Sequence, residues 1–349
     1  MIKQKIESSK SIKKEKTFKF GIIIFILFMI IVSKELNIHS IFLINKNFQK
    51  IYLCTLYNNE SEMAFIHLWR LYDYIDKFII VISNITHSGN PKNITFSPYE
   101  QNIEKFMDKV DIVFFDNLCN AKVYPKRNNV WCIENSQRDY AKTYIEKIYH
   151  PTESDLLIVV DIDEILTREG IEYIKKNPPK DFYFIKGSTY FPYFYHKLED
   201  WNCGFVVRYN KKMKTLTNYR DMRKTKPKIL KFDYNPSKPL ITHCSYCFKS
   251  IEEYKNKLKS FSHQEYNIYP YTTNEWIFKS HYCRIKINSH IVEHDEPYEG
   301  MKDLIPKDER LKYLIDPSFI YNLNETKYTE KDLESLCDIK YNRTPLEIF

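Results

Sequence analysis

Glycine is scarce, six in 349 residues, and that scarcity removes whole classes of phosphate chemistry. Neither G-x-x-x-x-G-K-[ST] nor G-x-G-x-x-G occurs, so no glycine-rich loop can wrap a phosphate in backbone N–H groups. Any bound phosphate must be neutralised by a metal ion or by Lys and Arg. The nucleophile elbow G-x-S-x-G is missing, which leaves a serine hydrolase without support. His290-Ile-Val-Glu-His294 matches neither H-E-x-x-H nor its inverse, which excludes a zinc protease. No second C-x-x-C stands beside Cys244-Ser-Tyr-Cys247, so a four-ligand zinc site is incomplete. A basic, aromatic-interleaved stripe is also lacking, and nucleic acid is not an expected partner.

What is abundant is aromatic, with 28 Tyr and 23 Phe, and basic, with a formal charge of +8. The charge is uneven. Residues 1–19 carry seven lysines and two glutamates, a net of +5, which leaves +3 (8 − 5) for the remainder. This basic head abuts an uncharged run from Phe20 to Val32. The run is short against the roughly 17–25 residues that normally span a bilayer. Lys19 and Lys34 can snorkel outward and lengthen it, and a thinner early-secretory membrane tolerates short helices. The long basic head and the missing A-x-A site favour an uncleaved anchor over residues 20–33 rather than a cleaved signal peptide. Lysines before the span hold the N-terminus in the cytosol. The expectation is a single-pass type II protein of the Golgi or ER membrane with a lumenal body.

Two counts agree with a lumenal body. N-x-[ST] occurs at Asn59, Asn84, Asn93, Asn324 and Asn342, and of these Asn59, Asn324 and Asn342 are the expected glycan carriers. All eight cysteines also follow the anchor, an even number suited to disulfides in an oxidising compartment.

Along the chain we expect a cytosolic tail over 1–19, the anchor over 20–33 and a stem over 34–48. A catalytic domain over 49–320 and a polar C-terminal tail over 321–349 follow. Strands are expected at Ile51–Leu56, Phe78–Ile82, Ile112–Phe115 and Leu156–Val160, with further strands near Phe182–Ile185 and Phe205–Tyr209. Helices are expected at Glu62–Tyr74, Pro98–Met107, Val130–Tyr149 and near Gly170–Lys176. Alternating strands and helices imply an α/β fold with a Rossmann-type, mainly parallel sheet.

The stretch Leu156-Leu-Ile-Val-Val-Asp-Ile-Asp-Glu-Ile165 runs five apolar residues straight into Asp161-Ile-Asp163. The apolar run buries the strand in a sheet covered on both faces, and the C-terminal ends of such strands are where open α/β sheets bind ligands. Two carboxylates at i and i+2 there can hold Mn²⁺ or Mg²⁺ against a diphosphate, because hard oxygen ligands suit these ions. The bland alternative is an acidic loop. Arg138 follows Glu134 by four residues and shares its helix face. The pair is either a surface ion pair or an arginine preset by Glu134 to reach a donor. His243 either lines the site or caps a strand, and Cys244 and Cys247 are expected to pair with cysteines elsewhere. His263 and Glu265 form either a solvated loop or an acceptor site with a general base.

Several segments together resemble glycosyltransferase family 17. They are Phe78-Ile-Ile-Val-Ile-Ser-Asn-Ile-Thr-His-Ser-Gly-Asn-Pro91, Glu134-Asn-Ser-Gln-Arg138, Val160-Asp-Ile-Asp-Glu-Ile165, Thr242-His-Cys-Ser-Tyr-Cys-Phe248, Lys257-Leu-Lys-Ser-Phe-Ser-His263 and Tyr313-Leu-Ile-Asp-Pro317. The resemblance implies a GT-A-like fold, a UDP-GlcNAc donor, a divalent cation (Mn²⁺ or Mg²⁺), inversion at the anomeric carbon and transfer to a mannose of an N-glycan. It assigns Asp161 and Asp163 to the metal, with Asp161, Glu164, Asn84, His87, Glu134 and Arg138 toward the donor. His243 falls on the acceptor side, and Glu265 and His263 are the candidates for the base. Leu166 stands where the family has Pro, which implies a less rigid loop. A transferase with another donor or a glycolipid acceptor, or an inactive lectin-like relative, fits the same segments.

Overall fold

In the computed structural model the described residues are 49–93, 96, 104–116, 129–190, 197–217, 239–283, 285–286, 290–291, 306–314 and scattered positions up to 337. The expected anchor and stem, Asn342 and most of the expected 98–107 helix lie outside them. Among the described residues no helix is long and apolar enough to cross a membrane.

Ten strands and five α-helices are described within Lys50–Phe349. The strands are β1 (Ile51–Tyr57), β2 (Lys77–Ser83), β3 (Val110–Phe115), β4 (Leu156–Val159), β5 (Glu164–Leu166), β6 (Phe182–Tyr190), β7 (Lys197–Arg208), β8 (Ile241–Cys244), β9 (Ile285–Lys286) and β10 (His290–Ile291). The helices are α1 (Ser61–Leu71), α2 (Asn129–Tyr149), α3 (Arg168–Lys176), α4 (Ile251–Ser260) and α5 (Asn274–Tyr282).

Eight strands form one sheet in the order β3-β2-β1-β4-β7-β6-β8-β5. The sheet is mixed, which corrects the expectation of a mainly parallel one. β3, β2, β1 and β4 run parallel. β7 then turns antiparallel to both β4 and β6, β8 runs parallel to β6, and β5 closes the sheet antiparallel to β8. The parallel half matches the alternating strand–helix pattern. The antiparallel half comes from later pairings that no local pattern announces, since cross-strand partners are set by tertiary contacts.

Both faces of the parallel half are covered, which explains the unbroken apolar runs. Leu53, Ile80, Ile158 and Val160 face one core with α1 residues Met63, Ile66 and Leu68. Tyr52, Cys54, Val81, Leu157 and Val159 face the other with Ala141 and Ile145 of α2. This period-2 alternation assigns each strand side chain to one core or the other.

The strand order reverses at β1, whose neighbours are β2 on one side and β4 on the other. A crevice forms outside the carboxyl ends of strands at such a switch point. The segments that leave β1 and β4 there are Asn58–Glu60 and Asp161–Asp163. Two helices beyond those expected complete that side. α4 is capped by Ser250, whose hydroxyl accepts from Glu253 N–H, with Glu252 and Glu253 in the first turn and Lys257 and Lys259 in the last. That distribution suits the helix dipole at both ends. α5 is capped in the same way by Thr273.

The C-terminal residues are less loosely attached than their polarity suggests. Tyr328 stacks on Phe278 at 5.7 Å, Leu323 is buried, and Cys337 is bonded to Cys283 at the end of α5.

Candidate active site

The Asp161–Asp163 turn is built by contacts that lie far away in sequence. Glu164 is buried, and its carboxylate accepts from the backbone N–H groups of Asp161 (2.9 Å) and Gly204 (3.1 Å). A Cβ at Gly204 would lie 2.4 Å from the Val159 carbonyl oxygen, so only glycine lets β7 pass this close to the turn. His67 on α1 holds the Ile162 carbonyl at 3.0 Å through Nε2. Burial pushes the His67 pKa down to about 4 despite that bond and Asp163, so the ring is neutral and donates. His67 and Gly204 were invisible to motif reading. The only signal was a histidine on the apolar face of the expected 62–74 helix.

Each carboxylate of the turn meets a cation. Arg138 Nη2 contacts Asp161 Oδ1 and lies 3.1 Å from Glu134 Oε1. Its guanidinium is buried, which would discharge it, but Asp161 and Glu134 outweigh burial and raise its pKa. The Glu134–Arg138 pair is therefore not a surface pair. It connects α2 to the end of β4. Glu134 further accepts from the Ser262 hydroxyl at 2.5 Å and lies 4.0 Å from His87 Nδ1. His87 Nε2 meets Gln137 Oε1 at 3.2 Å, and burial lowers the His87 pKa although Glu134 opposes it.

Asp163 is the more enclosed of the two. Lys257 Nζ lies 3.4 Å and His243 Nε2 3.6 Å from its Oδ2. Burial disfavours its charge, but Lys257 and His243 reverse this and hold the carboxyl well below the usual range. Lys257 also reaches Glu60 Oε1 at 3.0 Å. Burial lowers the Lys257 pKa and the two carboxylates more than restore it. The His243 pKa is likewise raised, with Asp163 overcoming burial. His243 arrives because β8 pairs with β5, opposite Glu164. The side chain of Asp161, by contrast, is 38% exposed.

A cavity of about 410 Å³ opens beside Asp163 at the switch point, lined by Asn58, Glu60, Lys92, Lys257 and the Cys244–Cys247 bridge. Lys92 donates to the Tyr57 carbonyl (3.1 Å) and to Asn58 Oδ1 (2.9 Å). Burial pushes its pKa down to about 8. Lys257 and Lys92 are cavity cations that motif spacing does not point to, although Lys257 opens the Lys257–His263 segment. Cys244 and Cys247 are bonded to each other, which corrects the expectation of distant partners. They bracket the turn after β8, with Cα atoms 5.6 Å apart.

The remaining expected residues are dispersed. Asn84 is exposed at the start of the 84–92 loop, and its carbonyl accepts from Lys92 N–H. His263 and Glu265 lie past α4, paired at 2.6 Å and largely exposed. Asn59 is exposed after β1, with a φ of 69° that asparagine tolerates. Asn324 is partly buried and caps a local turn at Tyr328. Among the described residues no three His, Cys, Asp or Glu side chains converge as a complete protein cage for a metal.

A mixed sheet with paired carboxylates beside a cation-lined cavity defines an α/β protein with a charged crevice at its switch point. Glycosyltransferase family 17 matches residues 20–306. The chain belongs to glycosyltransferase family 17. It is similar to the β-1,4-mannosyl-glycoprotein 4-β-N-acetylglucosaminyltransferases of Homo sapiens and Rattus norvegicus, 27% identical to each over 125 residues. The match covers 34% of this chain and 22% of each relative, about a fifth of their length. Among solved structures, HddC from Yersinia pseudotuberculosis is similar over 55% of this chain and 88% of that one, at 10% identity and a TM-score of 0.25. The inositol-1-phosphate CTP transferase of T. maritima covers 46% of this chain and 71% of that one, at 9% identity and a TM-score of 0.23. Likenesses at these scores carry no inference about function.

Proposed function

We propose that the protein transfers GlcNAc from UDP-GlcNAc to a mannose of an N-glycan with inversion, aided by Mn²⁺ or Mg²⁺. The observation that carries this is Asp163 in the wall of a cation-lined cavity at the switch point, with Asp161 two residues before it on the same turn. Family membership and the similarity to N-acetylglucosaminyltransferases support the sugar and the acceptor.

The residues fit a divalent cation. Asp161 and Asp163 offer hard carboxylate oxygens, and Asp161 is open to solvent. Mg²⁺-type sites commonly take one or two carboxylates and leave other positions to phosphates and water. When bound, the cation would neutralise charge developing on the leaving diphosphate.

The other roles belong to the chain itself. Lys257 and Lys92 bind and orient the anionic donor in the cavity. Arg138, preset by Glu134, stands beside Asp161 and balances charge there. His243 fixes Asp163, and Glu164 and His67 fix the turn. The 84–92 loop carries His87 toward Glu134. Glu265 serves as the base that takes the acceptor hydroxyl proton, oriented by His263 Nδ1. His263 lowers the Glu265 pKa against the opposing effect of burial, so the carboxylate is ionised and able to accept. We further place the protein in the Golgi or ER membrane through residues 20–33, with its body lumenal and glycosylated at Asn59, Asn324 and Asn342.

The test is transfer and UDP-GlcNAc hydrolysis by the purified full chain with and without EDTA. Asp161→Asn or Asp163→Asn should lower turnover by about 10²–10³, the size of one lost electrostatic contact to the transition state. Full activity in EDTA or in Asp163→Asn overturns the metal assignment. Unchanged turnover in Glu265→Gln removes the base.

A further inference from the structure

Past the end of α4 the chain lays out a line of rings. Trp131 meets His263 edge-on at 4.9 Å and 90°, and His263 stacks on Tyr266 at 5.6 Å and 25°. Tyr266 meets Tyr271 at 6.3 Å, and Phe261 backs His263 at 5.7 Å. None of Trp131, His263, Tyr266 and Tyr271 is buried. Beyond them Ile268 is 55% exposed and Tyr269 82% exposed, among the most exposed large apolar residues described. Tyr266 and Tyr271 pack one side against the core and stay partly open, while Ile268 and Tyr269 stand in solvent. Exposed apolar residues rimmed by polar ones are the kind of surface that marks a binding site.

The shelf is tied to the candidate active site. Trp131, Glu134 and Arg138 follow at i, i+3 and i+7 along α2, which sets them on one helix face. At about 1.5 Å rise per residue, Trp131 lies roughly 10 Å from Arg138 along the axis. Ser262, next to His263, donates to Glu134, which pairs with Arg138 beside Asp161. The rings are thus joined to the paired carboxylates through a buried chain of Ser262, Glu134 and Arg138.

We propose that this shelf of Trp131, His263, Tyr266 and Tyr269 is the subsite for the acceptor saccharide. The inference rests on the donor reading given above. A pyranose presents a C–H face that is apolar and a rim of hydroxyls. Rings take the first by stacking, since an aromatic face offers large, rigid apolar area. The Glu265 carboxylate and the His263 imidazole, half-exposed at 2.6 Å from each other, take the second by hydrogen bonding. A few polar groups set among aromatic walls is the ordinary make-up of a small-molecule site. A nucleotide diphosphate is a poor match here, because the Glu265 carboxylate, held low by His263, is anionic.

The experiment uses the full chain in detergent and two probes. UDP with Mn²⁺ is titrated by calorimetry, and a mannose-terminated N-glycan oligosaccharide is followed by saturation-transfer NMR and by quenching of tryptophan fluorescence. Trp131→Ala and Tyr266→Ala should weaken the oligosaccharide tenfold or more while UDP affinity stays within twofold. Tyr269→Ala, at a site too exposed to affect folding, should weaken it severalfold. Trp131→Phe, which keeps a ring, should recover most of the loss. UDP binding with unchanged oligosaccharide affinity in all of Trp131→Ala, Tyr266→Ala and Tyr269→Ala overturns the shelf and leaves the donor reading standing. Failure of the unaltered protein to bind UDP, with oligosaccharide binding still lost in the variants, overturns the donor reading and keeps the shelf. If Trp131→Ala loses both probes and its thermal transition, Tyr269→Ala and Trp131→Phe decide.

Discussion

Lys257 Nζ lies 3.4 Å from the Asp163 carboxylate across 94 residues of sequence, and 3.0 Å from Glu60. The triad joins α4, the end of β4 and the segment after β1, so one ammonium holds three walls of the crevice. Removing the cation alone strands two poorly exposed carboxylates. Breaking a buried pair on one side commonly costs about 3–5 kcal/mol, because the remaining charge stays desolvated. Lys257→Met should therefore lower unfolding free energy by an amount of that order in urea titrations. Combining it with Asp163→Asn should recover part of the loss. Strict additivity in this double-mutant cycle would show that the two side chains do not interact.

Two enclosed histidines make the fold acid-labile. His67 is held at the Ile162 carbonyl, and His281 at the Ile277 carbonyl (2.9 Å). Burial pushes both pKa values down to about 4 from 6.5. Between those values the unfolded chain binds protons that the folded chain refuses. Stability is full above pH 6.5 and falls as pH drops toward 4, by up to about 3 kcal/mol for each ring. His67→Gln should cost about 1–3 kcal/mol at pH 7 through imperfect replacement of the bond to Ile162, yet flatten the acid limb. Denaturant midpoints measured from pH 4 to 7.5 check this. An acid limb of the same slope in His67→Gln and in His281→Gln would refute it.

The parallel half of the sheet was legible because β1, β2 and β4 are buried on both faces and read as apolar runs, and the edge strand β3 keeps an apolar Ile112–Phe115 although Phe114 is exposed. Their order was not, since neighbours are set by contacts between distant segments. β8 has four residues and too little pattern to stand out, yet it delivers His243 to Asp163. α4 carried a legible signal in Ser250-Ile-Glu-Glu253, an N-cap followed three residues on by Glu. That cap locates the start of a helix but not what its last turn touches, so nothing local points to Lys257. The Glu134–Arg138 spacing fixed a shared helix face. Burial of that face needs Asp161 and Ser262, which i,i+4 spacing cannot supply. Spacing alone does not select Cys244–Cys247 among the many pairings that eight cysteines allow; the tight turn after β8 is what brings the two together.

Lys92 gives the crevice its own pH response. Its ammonium lies against the Tyr57 carbonyl and Asn58, and burial brings its pKa down to about 8. Below that value it is a cation facing the cavity and attracts a diphosphate. Above it the charge is lost and the attraction with it. UDP affinity should therefore fall severalfold between pH 7 and 9.5 in calorimetric titrations. Lys92→Arg, which stays charged throughout this range, should remove the fall. Identical pH profiles for the two proteins would exclude Lys92 from anion binding.

The two described disulfides should differ in what they contribute. Cys283–Cys337 closes a loop of sequence separation 54, and Cys244–Cys247 one of separation 3. In the chain-entropy account the stabilisation grows with the logarithm of loop length, giving about 4 kcal/mol for the first and about 2 kcal/mol for the second. Cys283→Ser should thus produce the larger drop in unfolding free energy, and it should release the C-terminal residues that Tyr328 and Leu323 hold against the body. Cys247→Ser should destabilise less but disturb the cavity, because the bridge lines it beside Lys257. UDP affinity is the measurement that separates the two. Cys247→Ser should weaken it severalfold and Cys283→Ser leave it near the starting value. The reverse pattern would mean that the C-terminal bridge, and not the turn after β8, shapes the crevice.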